Sequence, residues 1–197
     1  SDDKDRPSKT YRQTQMKVCI ELGVRVQLIE SRWQNSRAVL ETLEKMADFD
    51  GVIFDLPLPR SVDLDALLSQ VPCQRDAEGV TAGAFGRLLQ AKSFAEIEHK
   101  RLAAPCTALA IAELARASGV PLAGKTAVVL GRSNIVGKPA AHLLSCLDMT
   151  VTLCHSKTRD LAQVVSQADV LVSALGKAKF VKADWIKKGA VVIDAGI

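Results

Sequence analysis

A chain of 197 residues with 48% hydrophobic side chains can bury a sizeable core, as one large domain or two small ones, and no stretch of it approaches the roughly 20 apolar residues that span a bilayer. A formal charge of +4 without a basic run, together with only 4% aromatic residues, speaks against a stacking surface for nucleic acid, and a small anionic ligand fits this balance better. The cysteines, Cys19, Cys73, Cys106, Cys146 and Cys154, form an odd, scattered set without a C-x-x-C pair, which argues for reduced thiols in the cytoplasm or another reducing compartment and against a zinc site or disulfide framework.

The opening SDDKDRPSK reads as a loop. From Thr10 to Leu22, Met16, Cys19, Ile20 and Leu22 recur at helical spacing, and Gly23 stops the helix. VRVQLIE follows as a strand, and Ser36 to Met46 carries Val39, Leu40, Leu43 and Met46 on one face of a second helix. GVIFDLPLP reads as a buried strand ended by prolines, and Asp63 to Leu68 as a short helix. Helix, strand, helix, strand, helix implies parallel strands joined by crossover helices, an α/β architecture. RDAEGVTAGAFGRLLQ loops into a helical turn, and CTALAIAELARASGV is a strong helix closing on Gly119.

From Lys125 the alternation is cleaner. Strand TAVVLG leads to a helix from about Gly137 to Leu147, then strand TVTLCH, helix RDLAQVVSQA, strand DVLVSAL, a short KADWIKKG segment and strand AVVIDAGI. Four strands alternating with covering segments predict a doubly wound nucleotide-binding domain.

Its first strand runs into the turn Gly131-Arg132-Ser133-Asn134-Ile135-Val136-Gly137. A turn from a parallel strand into a helix aims backbone N–H groups and the positive end of the helix dipole at one point, which suits a phosphate, although the spacing G-x-x-x-x-x-G departs from the standard dinucleotide fingerprint and by pattern alone fits an ordinary structural βα turn equally well. Gly131 permits a tight exit, and Gly137 lets a ligand or strand approach closely. NAD-preferring folds place an acid at the end of the second strand, about twenty residues on, for the ribose hydroxyls. Here that strand ends in Cys154-His155-Ser156-Lys157-Thr158. This basic, hydroxyl-bearing end, with Arg132 in the neighbouring turn, suits the extra 2′-phosphate of NADP. Lys157 by itself reads as a solvated surface charge.

GRSNIVGKP, TVTLCHSKT, ADVLVSALG and GAVVIDAGI, in that order, resemble the cofactor half of the methylenetetrahydrofolate dehydrogenase/cyclohydrolase family. In the first half, SKTYRQTQMK resembles the family's S-x-x-Y-V-x-x-K-x-K, DLPLP its V-Q-L-P-L-P, RDAEG its K-D-V-D-G and APCTALA its P-C-T-P. The resemblance implies a catalytic, folate-binding α/β domain over 1–108 and a Rossmann-type NADP-binding domain over 109–197 with a cleft between them, assembled as a homodimer. Set against the family, the chain is expected to lack the first strand and helix and the C-terminal helix. The implied activity is oxidation of 5,10-methylenetetrahydrofolate followed by hydrolysis to 10-formyltetrahydrofolate. Carried over by position, Tyr11 stacks near the folate, and Asp55, Leu56, Pro57 and Glu78 line its pocket. Arg132 and Ser156 contact the 2′-phosphate. Gly131, Ser133, Ile135, Gly137, His155, Ala174, Gly176 and Ile197 line the cofactor loops.

The departures from the family's pattern fall on the substrate side. Its catalytic lysine, four residues after the tyrosine and so on the same helix face, is Gln15 here; the glutamine of V-Q-L-P is Asp55, the pterin-gripping aspartate is Glu78, and Arg75, Ala84 and Ala108 replace a lysine, an asparagine and a proline. Hydride loss from the methylene carbon needs no proton transfer, and Asp55 would steady the resulting cation. Hydrolysis needs a base, which an amide cannot be, and an aspartate near its usual pKa of about 4 is weak at neutral pH. Tyr11, Gln15 and Asp55 are thus the candidate catalytic residues of an NADP-dependent dehydrogenase with a weak or lost cyclohydrolase step. Two alternatives stay open: an enzyme acting on another pterin or C1-bearing amine, and a cofactor-binding pseudoenzyme partner.

The remaining chemistry-bearing residues have plainer readings. His99 and His142 lack partners at ligand spacing and read as surface or helix-packing residues, so no metal site is expected. Cys106, Trp33 and Trp185 read as packing, and Asp194 as the cap of the turn after the last strand.

Overall fold

A computed structural model of the chain describes residues 6–29, 44, 48–54, 58 and 62–196. The chain divides into two compact units, Ser1–Ala77 and Glu78–Ile197.

In the first unit, helix α1 (Arg6–Glu21) stops as the sequence predicts. Gly23 takes φ +73°, so its N–H reaches the Ile20 carbonyl at 3.0 Å and that of Val24 reaches Cys19 at 2.8 Å, which satisfies carbonyls the helix leaves open. Helix α2 (Leu64–Leu68) starts where Asp63 accepts the N–H groups of Asp65 and Ala66 at 3.0 and 3.2 Å, and it buries Leu67 and Leu68.

Two predicted strands of this unit are corrected. VRVQLIE forms no strand over residues 24–29, and Val24, Val26 and Leu28 are exposed. A strand exists only through a ladder with a neighbour, and among the described residues none pairs with this segment. GVIF at 51–54 makes one parallel bridge, Val52 with Asp76, and only Phe54 is buried. The DLP that continues it and most of the predicted Ser36–Met46 helix lie outside the described residues, although Glu44 is helical.

The second unit opens with three helices, each with a readable start. Helix α3 (Ala82–Leu89) is capped by the Thr81 hydroxyl, which accepts the Ala84 N–H at 3.2 Å, and α4 (Phe94–Lys100) by Ser93, which accepts that of Glu96. Helix α5 (Cys106–Ala117) follows buried Pro105 and ends before Gly119.

Then come β1 (Thr126–Leu130), α6 (Gly137–Ser145), β2 (Thr150–Cys154), α7 (Leu161–Val165), β3 (Val170–Ser173), a 3-10 turn (Ala183–Trp185) and β4 (Val191–Asp194). All four predicted strands are present, paired in parallel in the order β2-β1-β3-β4. Alternate residues of β1 face opposite ways, as pleating requires. Ala127 and Val129 pack in the cluster that holds α5 and α6, whereas Val128 and Leu130 pack with Val165 and Ala168. Both faces of the central strands β1 and β3 are covered, which is why these two read as unbroken apolar runs, whereas the edge strands β2 and β4 keep exposed residues. Each buried Val or Leu contributes about 1.5–3 kcal/mol to this core.

Among the described residues, no helix is long and apolar enough to cross a membrane, and no cluster of three His, Cys, Asp or Glu is placed to hold a metal.

Candidate functional site

The strand order places a reversal between β1 and β3. The chain leaves β1 for β2 on one side and returns past it to β3 on the other, and ligands of open α/β sheets bind outside the carboxyl ends of the strands at such a point. The two exits meet there as Gly131 and Ala174. A Cβ at Gly131, whose φ is +112°, would lie 2.5 Å from the Ala174 carbonyl oxygen. The exits of β3 and β4 also touch, since a Cβ at Gly196 would lie 3.1 Å from the Gly176 nitrogen. Predicted residues Gly131, Ala174 and Gly176 therefore gather at one edge. Ile197 lies outside the described residues.

Gly137 is glycine for a reason other than ligand approach. A Cβ there would overlap the Gly131 carbonyl and come within 3.0 Å of the Arg132 Cα, so the turn folds back on its own first residue. Ser133 shapes the same turn. Its Oγ accepts the N–H groups of Val136 at 3.1 Å and Gly137 at 3.3 Å, and its carbonyl accepts that of Lys138. The first donors of α6 are thereby satisfied internally. Among the described residues, the N–H groups of Arg132, Ser133, Asn134 and Ile135 have no acceptor. Four consecutive main-chain donors and an exposed guanidinium without an acidic partner, on Arg132, make a turn that can hold a phosphate.

The turn after β2 lies alongside, because the Gly131 N–H donates to the Cys154 carbonyl at 3.0 Å. It is held by three bonds of its own. The His155 N–H donates to Thr158 Oγ1 at 2.9 Å, the Thr158 N–H to the His155 carbonyl at 2.9 Å, and the Lys157 N–H to His155 Nδ1 at 3.1 Å. Ser156 and Lys157 are exposed, and no acid occurs between Cys154 and Arg159. Burial pushes the Cys154 thiol up, with the Thr158 hydroxyl drawing it partly back, so that cysteine packs as a neutral thiol. Cys146 is raised likewise, by burial first and then by the Glu96 and Asp148 carboxylates.

The predicted substrate-side residues are placed less fully. Gln15 is half-buried on α1. Tyr11 lies one turn before it, and its side chain is outside the described residues, as are Asp55, Leu56 and Pro57. Glu78 is half-buried on a loop anchored at the next residue: a Cβ at Gly79 would meet the Ala104 backbone at 2.8 Å.

Of the plainer readings, His142 does pack, its Nε2 bonding the Leu88 carbonyl at 2.8 Å, and His99 is a surface residue. Asp194 accepts the Gly196 N–H at 3.0 Å, as a turn cap does. Trp185 packs edge-on to Phe180 with centroids 6.1 Å apart, and Trp33 lies outside the described residues. Cys106 is corrected: it is exposed at the first position of α5, because the residue filling the core at that entry is Pro105. Sequence reasoning missed Thr158 and the backbone anchorage of Gly79. Thr158 had a signal in its place three residues after His155, a spacing at which a hydroxyl closes a turn.

Parallel sheet, covered faces and a glycine-bounded turn at the switch point define a Rossmann-type dinucleotide-binding domain. Residues 105–197 match the family described as tetrahydrofolate dehydrogenase/cyclohydrolase, NAD(P)-binding domain. The bifunctional protein FolD of Caldanaerobacter subterraneus subsp. tengcongensis is 40% identical over 196 residues, covering 98% of this chain and 67% of its own. The chain belongs to the tetrahydrofolate dehydrogenase/cyclohydrolase family.

Two crystal structures carry the likeness into three dimensions. FolD methylenetetrahydrofolate dehydrogenase/cyclohydrolase from Campylobacter jejuni aligns with a TM-score of 0.86 at 31% identity, over 97% of this chain and 67% of that one. The Trypanosoma brucei enzyme, complexed with NADP and an inhibitor, aligns with a TM-score of 0.85 at 35% identity, over 96% and 64%. The chain spans about two thirds of the length of the curated relatives it matches.

Proposed function

We propose that the chain serves an enzyme that oxidises 5,10-methylenetetrahydrofolate to the 5,10-methenyl compound with NADP, its cyclohydrolase step weak or lost. The observation that carries the coenzyme is the pair of adjacent turns, one with Arg132 and four N–H groups that have no acceptor among the described residues, the other with Ser156 and Lys157 and no acid. The cradle fits a dinucleotide: Gly131 and Gly137 close it so tightly that a Cβ at either would strike backbone, and its donors match a phosphate's acceptor-only oxygens. Arg132 and Ser156 take the 2′-phosphate in this reading, and Gly131, Ser133, Ile135, Gly137, Ala174, Gly176 and Ile197 border the rest. When bound, NADP accepts a hydride. The names of the relatives support the reaction.

On the substrate side, Gln15 and Asp55 decide which step runs. Loss of hydride leaves a cation shared by two folate nitrogens, which a neutral amide tolerates and the Asp55 carboxylate steadies. Hydrolysis needs a base that takes a proton from water, and the Gln15 carboxamide, which does not titrate, is not one. Tyr11, Leu56, Pro57 and Glu78 line the folate pocket in this reading, with Glu78 reaching one methylene further than the family's aspartate. The working unit is a cytoplasmic homodimer; the odd, scattered thiols support the compartment, and the resemblance supports the dimer.

The test mixes the full-length protein with methylenetetrahydrofolate and NADP and follows reduced coenzyme, methenyl and formyl products separately. Reduced coenzyme with methenyl accumulating is the expected result. No reduced coenzyme despite NADP binding overturns it. Gln15→Lys is expected to speed formyl formation about a hundredfold; no gain would show that Gln15 alone does not limit hydrolysis.

A further inference from the structure

His155 stands in the cofactor loops by resemblance, but its ring is engaged elsewhere. Nδ1 accepts the N–H of Lys157, two residues on, at 3.1 Å. An Asn or Asp side chain makes the same local bond when it closes an Asx turn. Accepting at Nδ1 fixes the neutral ring's proton on Nε2. Thr158 completes the lock from the other side, its Oγ1 accepting the His155 N–H and its own N–H returning to the His155 carbonyl. What this lock displays is Ser156 and Lys157, both exposed. What it stands beside is the Gly131–Gly137 turn, through the bond from the Gly131 N–H to the Cys154 carbonyl.

We propose that His155 is a positioning residue for coenzyme selection: with Thr158 it fixes the Ser156-Lys157 turn beside Arg132, and so favours the coenzyme bearing the extra phosphate without touching it. The inference rests on the NADP reading above. The physical reason is geometric. A 2′-phosphate is held only if hydroxyl, ammonium and guanidinium stay in register, and an unlocked four-residue turn must be ordered anew on each binding event. NAD lacks that phosphate, so its affinity depends little on this turn.

The experiment measures dissociation constants for NADP and for NAD by calorimetry on the full-length protein. His155→Ala is expected to weaken NADP about fivefold, the value of one net hydrogen bond, and NAD by less than about twofold. His155→Asn, whose Oδ1 can accept the same N–H, is expected to restore NADP binding to within about twofold of the parent. Thr158→Val gives the same loss as His155→Ala by a second route, and Thr158→Ser the same rescue. If Asn behaves like Ala, the ring itself meets the coenzyme and the proposal falls. It falls equally if both coenzymes weaken in parallel, which is the mark of general loosening. A parent protein that binds NAD but not NADP overturns the functional reading instead, before any variant is compared.

Discussion

The two ends of the parallel sheet treat charge and main-chain donors in opposite ways. At the amino end one acid is paired through both side chain and main chain. Asp169, just before β3, accepts the Thr126 N–H at 3.0 Å and the Lys187 ammonium at 2.6 Å, while its own backbone bonds Thr126 and Val191. One residue thus ties the starts of β1, β3 and β4. At the carboxyl end four N–H groups and the Arg132 guanidinium have no protein partner among the described residues. Satisfied polar groups hold a fold together, whereas groups left open in a rigid frame are available to something that arrives later. The same sheet therefore separates stability from binding along its strand axis.

The largest effect should come from Gly137→Ala, which strikes the frame of the open end. The added methyl has no space against the Gly131 carbonyl, and a loss of about 3 kcal/mol or more is expected in denaturant unfolding, together with coenzyme binding. A variant that keeps its stability would show that the turn is softer than its packing implies.

Arg132→Ala separates the ends more sharply. With no ion pair to lose among the described residues, the variant should unfold within about 0.5 kcal/mol of the parent yet bind NADP about tenfold more weakly. Equal weakening of NAD would move Arg132 from the 2′-phosphate to a group both coenzymes share.

Asp169→Asn is the mirror test, with a melting temperature lowered by about 3 °C at pH 7 and NADP affinity unchanged. Its pH dependence has a definite sign. The Lys187 ammonium first, and then the Thr126 N–H, hold the Asp169 carboxyl below its ordinary value. A carboxyl so depressed stabilises the fold fully above the unfolded value near 4, and that contribution fades as pH falls through the folded value. The gap between parent and Asp169→Asn should therefore narrow below about pH 4 in thermal melts. A constant gap would mean that the carboxylate's charge contributes nothing.

The second unit was legible from sequence because its strands need no outside information. TAVVL and VLVS are apolar runs buried on both faces, VVID is an apolar run at the sheet's edge that buries Ile193, and each is bounded by the turn residues that end it. The glycine spacing located the turn at the sheet edge, but not its internal wiring. That Gly137 makes room for the Gly131 carbonyl, and that Ser133 and His155 bond their own turns, are facts of backbone path that residue type does not encode. VRVQLIE shows the opposite failure. Its alternation of Val24, Val26 and Leu28 describes a surface suited to a ladder, while pairing belongs to two segments at once. Cys106 reads as packing because no histidine lies close in sequence, yet it is exposed and Pro105 fills that place. The substrate-side roles of Tyr11, Asp55, Leu56, Pro57 and Glu78 rest on motif position, since a side chain's reach across a pocket has no periodicity to read.

The Ser133 hydroxyl carries one more consequence, in kinetics. By closing the first turn of α6 on itself, it completes during folding the loop ordering that many anion sites defer until their ligand binds. Coenzymes thus meet a finished surface, and their encounter rates should be much alike. Discrimination between them then resides in dwell time, with the favoured one leaving slowly rather than arriving quickly.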